Sequence, residues 1–438
     1  MEGPLANGTG LNQGQMSDSP APEEEPVDPK TLITDEDVKA ALLSDKGEAE
    51  LTSWEVVDFT KEGDNYSTFV TSIQVTYSAN DEESQVSYVV KVNPCRNLEG
   101  FESITHALFE KEGNFYQTIV PDLNSALEEV GMEKLNVPGC YHVNLEAGHE
   151  QIYFEDLRER GFQIIDKRQA LDIAHVNLVL KELAKLHAAS RLLQEKSPGE
   201  AMVEKYDPIL RDWFNQGEEA NAILIPVLQA HFIQAGDILE NAGVDRRVLD
   251  WIESLMPNLP DVISNNMQSD TFGSICHGDC WSSNMLFRYE EDTPVEVMLV
   301  DFQACHYATV ASELNQFLYS AVTSEVRSEN LEDFMNTYYS TYTGILEAGG
   351  IEQAFTEEEL MDEFKEKNIL GAIFAITCVP NELLDDNDTF EKTENEDEIE
   401  GIECDFWTRM KDSAGGSPML GPRFLSTFEE FLVTGLIP

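Results

Sequence analysis

The residues of this chain best suited to chemistry lie in His277-Gly278-Asp279-Cys280-Trp281-Ser282-Ser283-Asn284, followed by Asp301-Phe302-Gln303. Asp279 and Asn284 stand five residues apart, and Asp301 comes after two short apolar runs. Such a set suits phosphoryl transfer. A carboxylate at Asp279 can accept the proton of an attacking hydroxyl, and the oxygens of Asn284 and Asp301 suit hard Mg²⁺ held against the phosphates of ATP. His277, beside Asp279, is a second catalytic candidate.

These residues need elements to position them. Ser274-Ile275-Cys276 is short and β-compatible, and the glycine after His277 favours a sharp turn. Met285 to Tyr289 and Val295 to Val300 read as strands joined by Glu290 to Pro294, a hairpin whose open end brings Asn284 and Asp301 together. Upstream, a strand from Trp54 to Phe59 runs through Lys61-Glu62-Gly63-Asp64-Asn65-Tyr66-Ser67-Thr68 into an alternating strand from Val70. That is the geometry of a phosphate-covering loop, with Gly63, Asn65, Tyr66 and Ser67 as nucleotide contacts. With a single glycine, an ordinary hairpin fits too.

Lys91 sits on a third strand, Val86 to Val92, at the distance from the loop expected of a phosphate lysine; a solvated edge lysine is the plainer reading. The spacing of Phe101, Ile104, Leu108, Phe109, Phe115, Tyr116 and Ile119 predicts a helix from Phe101 to Val120, with Glu112 near its apolar side. A carboxylate there needs a partner, and Lys91 is the natural one. Two more strands, Val137 to Leu145 and Gln151 to Phe154, lead to Glu155-Asp156-Leu157. This marks a lobe boundary whose backbone, at Glu155 and Leu157, is placed to meet an adenine edge. From there helices dominate: 169–190, 220–240, 246–255, 311–322, 328–347, 356–378 and 422–435. His187, among the leucines of the first, reads as a satisfied core histidine.

The expected organisation is therefore α+β: a disordered acidic tail (1–33), a nucleotide-binding lobe of antiparallel sheet plus helix (34–155), and a larger, mostly helical catalytic and acceptor-binding lobe (156–438) with an acidic loop at 381–400. The net charge of −55 argues against nucleic acid and anionic membranes as partners. No run approaches the roughly 18 or more apolar residues of a membrane span; the longest, Ile369 to Val379, is too short and includes Thr377. Seven scattered cysteines fit a reducing compartment, so a cytoplasmic monomer is expected. Cys276 and Cys280 flank His277, but no second Cys/His pair completes a zinc set.

Several stretches carry a closer likeness. Gly63-Asp64-Asn65-Tyr66-Ser67, Lys91, Glu112 with Phe115-Tyr116, Glu155-Asp156-Leu157, Leu183-Ala184-Lys185-Leu186-His187-Ala188, the His277 to Asn284 stretch and Val300-Asp301-Phe302-Gln303 resemble the ecdysteroid kinase-like (CHK-type) family. That family sits in the larger group of choline kinases and aminoglycoside phosphotransferases, and the likeness covers about residues 34–438. The resemblance implies a two-lobed, protein-kinase-like fold. It also implies ATP- and Mg²⁺-dependent phosphorylation of a small-molecule hydroxyl, on an ecdysteroid or a similar neutral, apolar alcohol.

Two departures stand out. His306-Tyr307-Ala308-Thr309 replaces a basic residue followed by Gly-Ser, and Glu313-Leu314 replaces Asp-Leu, both behind the metal site. The rivals are a choline- or aminoglycoside-type kinase with a cationic acceptor, and a catalytically inactive nucleotide-binding protein. A protein kinase would need H-R-D and D-F-G, which the chain lacks.

Overall fold

The structure, a computed structural model, describes residues 27–57, 68–95, 101–212, 214, 218–384, 411–412 and 414–438. Gly63, Asn65, Tyr66 and Ser67 lie outside the described residues, as do 1–26 of the expected tail and 385–400 of the expected acidic loop.

Helix α1 (Asp35–Lys46) begins at Thr34, whose hydroxyl accepts the Asp37 N–H and caps the helix. Strands β1 (Glu50–Val57), β2 (Phe69–Ala79) and β3 (Glu82–Val92) follow. Asn80 and Asp81 join β2 to β3, at φ of 53° and 65°, the left-handed conformations that a two-residue hairpin demands and that Asn and Asp tolerate. β4 (Cys140–Asn144) and β5 (Gln151–Glu155) complete an antiparallel sheet of order β1-β2-β3-β5-β4.

Side chains alternate across a strand, and β3 uses both faces. Tyr88, Val90 and Val92 pack with Val38, Ala41 and Leu42 of α1 on one face. Val89 and Lys91 take the other, where α2 (Phe101–Asn114) passes. Gly113 allows that passage, since a Cβ there would meet Val143 Cγ1 at 2.6 Å. The helix does not end at Val120. A π turn, Phe115–Ile119, carries it into α3 (Val120–Glu129). One continuous core then joins Phe109, Phe115, Ile152 and Phe154 to the helices that follow.

Beyond β5, a 3₁₀ turn (Leu157–Arg160) and β6 (Phe162–Ile164) lead to α4 (Ile173–Lys196), α5 (Met202–Lys205), α6 (Glu218–Ala242), α7 (Arg246–Leu255) and α8 (Leu259–Met267). β7 (Gly273–Cys276) enters the catalytic stretch, and the hairpin β8 (Met285–Glu290) with β9 (Thr293–Leu299) leaves it. β10 (His306–Thr309) pairs with β7, then come α9 (Val310–Ala321), α10 (Ser324–Ala348), α11 (Glu357–Glu366), α12 (Asn368–Glu382), a second π turn (Gly421–Leu425) and α13 (Ser426–Thr434). All twelve residues of α9 are buried, which makes it the axis of the helical part.

Several expectations need correction. Within the expected tail, Pro29–Leu32 forms a 3₁₀ turn, and Leu32 and Ile33 are buried in the α1 core, with Gln151 Nε2 on Leu32 O at 2.8 Å. The expected helix 356–378 is two helices parted at Lys367. Asn381 and Glu382 close α12 and are not part of a solvated loop. Finally, Asn221–Ala242 is long and apolar enough, by length and composition, to cross a membrane. Counting unbroken apolar runs misses it because Gln229, His231, Gln234 and Asp237 interrupt the run. In this fold Asn381 Nδ2 meets His231 Nε2 at 3.2 Å, and Lys411 pairs with Asp237 at 3.0 Å.

Candidate active site

The catalytic stretch is a loop between β7 and β8, closed on itself and held from behind. Gly278 takes φ +81°, and a Cβ there would collide with Ala304 O, so only glycine makes this turn. Asn284 Nδ2 donates to both the backbone oxygen and Oδ2 of Asp279, each at 2.9 Å. The hairpin register, Met285 opposite Leu299, and the Val300 N–H to Asn284 O bond (3.1 Å) bring the Asp301 backbone beside Asn284, as the sequence pattern requires.

Lys91 Nζ lies 2.7 Å from Glu112 Oε2 and 2.7 Å from Asp301 Oδ1. Lys91 is therefore no solvated edge residue. The strand puts it on the α2 face, and it ties the sheet to both helix and metal-type aspartate. Burial lowers the Lys91 pKa, but Asp301 and then Glu112 outweigh it and hold the ammonium above its usual range. Burial pushes the Glu112 carboxyl up, against the pull of Lys91. Glu112 Oε1 also accepts the Phe302 N–H at 3.2 Å, and Phe302 stacks on Phe115 with ring centroids 4.2 Å apart. The π turn of the helix thus sits against the D-F-Q segment; such turns recur at functional sites.

Asp279 is half-buried, and its carboxyl is raised from 3.8 to about 7. Burial is the main cause and the charge of Asp301 the second, against the opposing effects of Asn284 and Lys91. A group so placed can exchange a proton near neutrality. The Trp281 indole N–H faces this carboxylate without closing a hydrogen bond of ordinary geometry.

The donor set also fits a hard cation. One Asp301 oxygen is taken by Lys91, while Asn284 Oδ1 and Asp301 Oδ2 accept no hydrogen bond from the described residues. An amide and a carboxylate oxygen on neighbouring stretches of backbone match the preference of Mg²⁺.

His277 is a correction. Its ring is buried, Nε2 donates to Val300 O at 2.9 Å, and Nδ1 accepts the Asp279 N–H at 3.2 Å. Burial lowers its pKa, and with both nitrogens on the backbone it shapes the turn and is not available as a proton carrier. Glu155 donates its N–H to Gly139 O (2.7 Å), and Leu157 is buried with Phe162 and Met298. Neither side chain hydrogen-bonds Lys91, Asp279, Asn284 or Asp301 among the described residues.

The support behind the loop is Glu313. Its Oε2 accepts His187 Nε2–H (3.0 Å) and the His277 N–H (2.9 Å), and Oε1 accepts the Gly278 N–H (2.9 Å). Burial raises this carboxyl, but the hydrogen bond and charge of His187, then His277 and the Gly278 N–H, outweigh it and bring it from 4.5 to about 2. The Tyr338 hydroxyl partners His187 at Nδ1 (2.7 Å), so that histidine is satisfied as expected. Potential ligand atoms of His187, Cys276 and Glu313 lie within 4.8 Å of one another, yet those of His187 and Glu313 are already engaged in this network. Three residues on, Gln316 accepts the Cys280 N–H (3.2 Å) and donates to Gly278 O (3.3 Å). Sequence reading flagged Glu313 only as a departure; a single charged residue in the otherwise uncharged stretch 310–321 was the signal that it has buried partners.

A strand lysine tied to a helix glutamate, a looped Asp–Asn pair and a second Asp beyond a hairpin define a kinase-like phosphotransferase architecture. The chain belongs to the ecdysteroid kinase-like family, whose model matches residues 62–349. Family and fold together support a small-molecule phosphotransferase. Similar solved structures include an ethanolamine kinase from Plasmodium vivax (12% identity, 88% of this chain and 85% of that one, TM-score 0.38). Others are a choline/ethanolamine kinase family protein from Mesorhizobium loti (12%, 86% and 92%, TM-score 0.34) and the choline kinase LicA from Streptococcus pneumoniae (13%, 76% and 97%, TM-score 0.29). No curated protein matches the sequence.

Proposed function

We propose that this chain is an ATP- and Mg²⁺-dependent kinase that phosphorylates a hydroxyl of a neutral, largely apolar small molecule such as an ecdysteroid, acting as a monomer in the cytoplasm. The observation that carries the reading is the pair of neighbouring sets Glu112–Lys91–Asp301 and Asp279–Asn284, drawn from β3, α2 and the stretch from 279 to 301. Asn284 and Asp301 would hold Mg²⁺, which supplies charge neutralisation for the phosphates. Lys91, kept protonated by two carboxylates, contacts those phosphates. Asp279 orients the acceptor hydroxyl and takes its proton. Asn284 fixes the Asp279 rotamer for that task, so the rate comes from position and electrostatics rather than from covalent chemistry.

The apolar acceptor is supported by what surrounds Asp279. The charge of Asp279 reaches Cys378 on α12, a helix of mostly buried apolar residues. That helix packs on α6, where Ile223, Leu224, Ile225, Val227 and Leu228 are only half-buried. The net charge of −55 favours the rival, a cationic acceptor. Phosphate transfer from radiolabelled ATP to hydroxysteroids, choline and aminoglycosides decides between them. We expect transfer to the hydroxysteroids, lost in Asp279→Asn. Failure of Mg-ATP to raise the melting temperature of the parent would sink the kinase reading altogether.

A further inference from the structure

The loop that carries Asp279 and Asn284 has a second support. Ser282 lies between the two, and both its N–H (3.1 Å) and its hydroxyl donate to Glu382 Oε1. Glu382 is the last residue of α12 and is wholly buried. Its other oxygen, Oε2, is held by Arg423 Nη2, which also reaches Ser320 O, while Arg423 Nη1 donates to Lys167 O at 2.8 Å. Arg423 is equally buried. Both partners lie beyond residue 349, where the family match ends.

A buried carboxylate–guanidinium pair is a poor way to gain stability, since desolvating both charges offsets most of their attraction. Apolar side chains of the same volume would seat α12 against the C-terminal segment as well. What they could not do is accept two hydrogen bonds from one residue of the loop. The arginine aims the carboxylate, and the carboxylate fixes Ser282 in place.

We propose that Glu382, anchored by Arg423, is a positioning residue for phosphoryl transfer: by holding Ser282 it sets Asp279 against Asn284. The effect on turnover rests on the kinase reading above; the effect on the loop does not. Glu313 and Gln316 hold the first half of the same loop, at residues 277, 278 and 280, and Glu382 holds the second half.

Ser282→Ala, which leaves the ion pair intact, and Glu382→Gln, which keeps its shape without its charge, test this in the full chain. Amide hydrogen exchange over 277–284, melting temperature, kcat and KM for ATP are measured together. Ser282→Ala should exchange faster in the loop and lose about tenfold in kcat at near-parental melting temperature and with KM for ATP within about twofold, the signature of misplaced groups. Ser282→Thr should recover most of kcat, and Glu382→Gln should lose about a hundredfold. Unchanged loop exchange in Ser282→Ala overturns the proposal, as does faster exchange with parental kcat. If Glu382→Gln does not fold, Ser282→Ala and its threonine rescue still decide. A parent that transfers no phosphate removes the kinase reading alone, and the exchange measurement still decides whether Glu382 holds the loop.

Discussion

Glu313→Gln is the perturbation whose size the structure determines best. The carboxylate receives three donors from three directions, and its pKa falls from 4.5 to about 2. That shift of two and a half units is worth about 3 kcal/mol, at about 1.4 kcal/mol per unit. Hydrogen bonding gives the same scale. An amide turns one acceptor into a donor, so at least one buried N–H of His187, His277 or Gly278 faces another donor, at about 1–3 kcal/mol plus the lost charge-assisted bond. With about 2.1 cal/mol/K of unfolding entropy per residue, a loss near 3 kcal/mol lowers the melting temperature by about 3–4 °C.

The sign with pH follows from the depressed value. The stabilisation is fully present above the ordinary carboxyl value of 4.5 and lost only as pH falls through about 2. The difference between parent and variant should therefore be constant across neutral pH. Differential scanning fluorimetry gives the stability, and kcat gives the effect on the His277-Gly278-Asp279 turn, which should also fall. Glu313→Asp, one methylene shorter, should lose part of the same network although aspartate is the residue the family usually carries. A Glu313→Gln protein that melts within about 1 °C of the parent and turns over normally would refute the reasoning.

Two further outcomes follow from the site. Lys91→Met leaves Glu112 and Asp301 facing each other without the ammonium; it should destabilise the protein by about 3–5 kcal/mol, less in mild acid where Glu112 takes up a proton, and weaken Mg-ATP binding by calorimetry. Parental nucleotide affinity in that variant would remove Lys91 from the phosphate site. Asp279 must be ionised to accept a proton, and its raised carboxyl loses that state as pH falls through about 7. Accordingly log(kcat/KM) for the free enzyme should climb with unit slope up to about pH 7 and then level off, and a flat profile through that region would assign the proton to another group.

The chemistry was legible in the sequence because Asp279, Asn284 and Asp301 are joined by short local elements, a turn and one hairpin, whose patterns are strong. The Lys91–Glu112 pair was legible for a different reason: an acid on an apolar helix face limits its partners to the nearby cation. What stayed hidden depends on contacts without a local signature. Ser282 and Glu382 are 100 residues apart, and Glu382 and Arg423 are 41 apart. The inward turn of His277 is decided by a carbonyl on Val300, which no spacing rule points to. Averaging over a polar tail masked Leu32 and Ile33, two residues that suffice to pin a turn to the sheet. The break at Lys367 was missed because apolar residues continue at helical spacing on both sides of it.

Asp301 has one more consequence. It sits at φ 69°, ψ 66°, a left-handed conformation that aspartate tolerates better than most residues, with its neighbours fixed on both sides. Val300 donates its N–H to Asn284 O, and Phe302 donates to Glu112 while stacking beneath Phe115. Gln303 follows, so the chain has no glycine there about which to swivel. The metal-type aspartate and the tilt of α2 are thereby one degree of freedom. Swinging Asp301 aside would therefore break the Val300 and Phe302 contacts together.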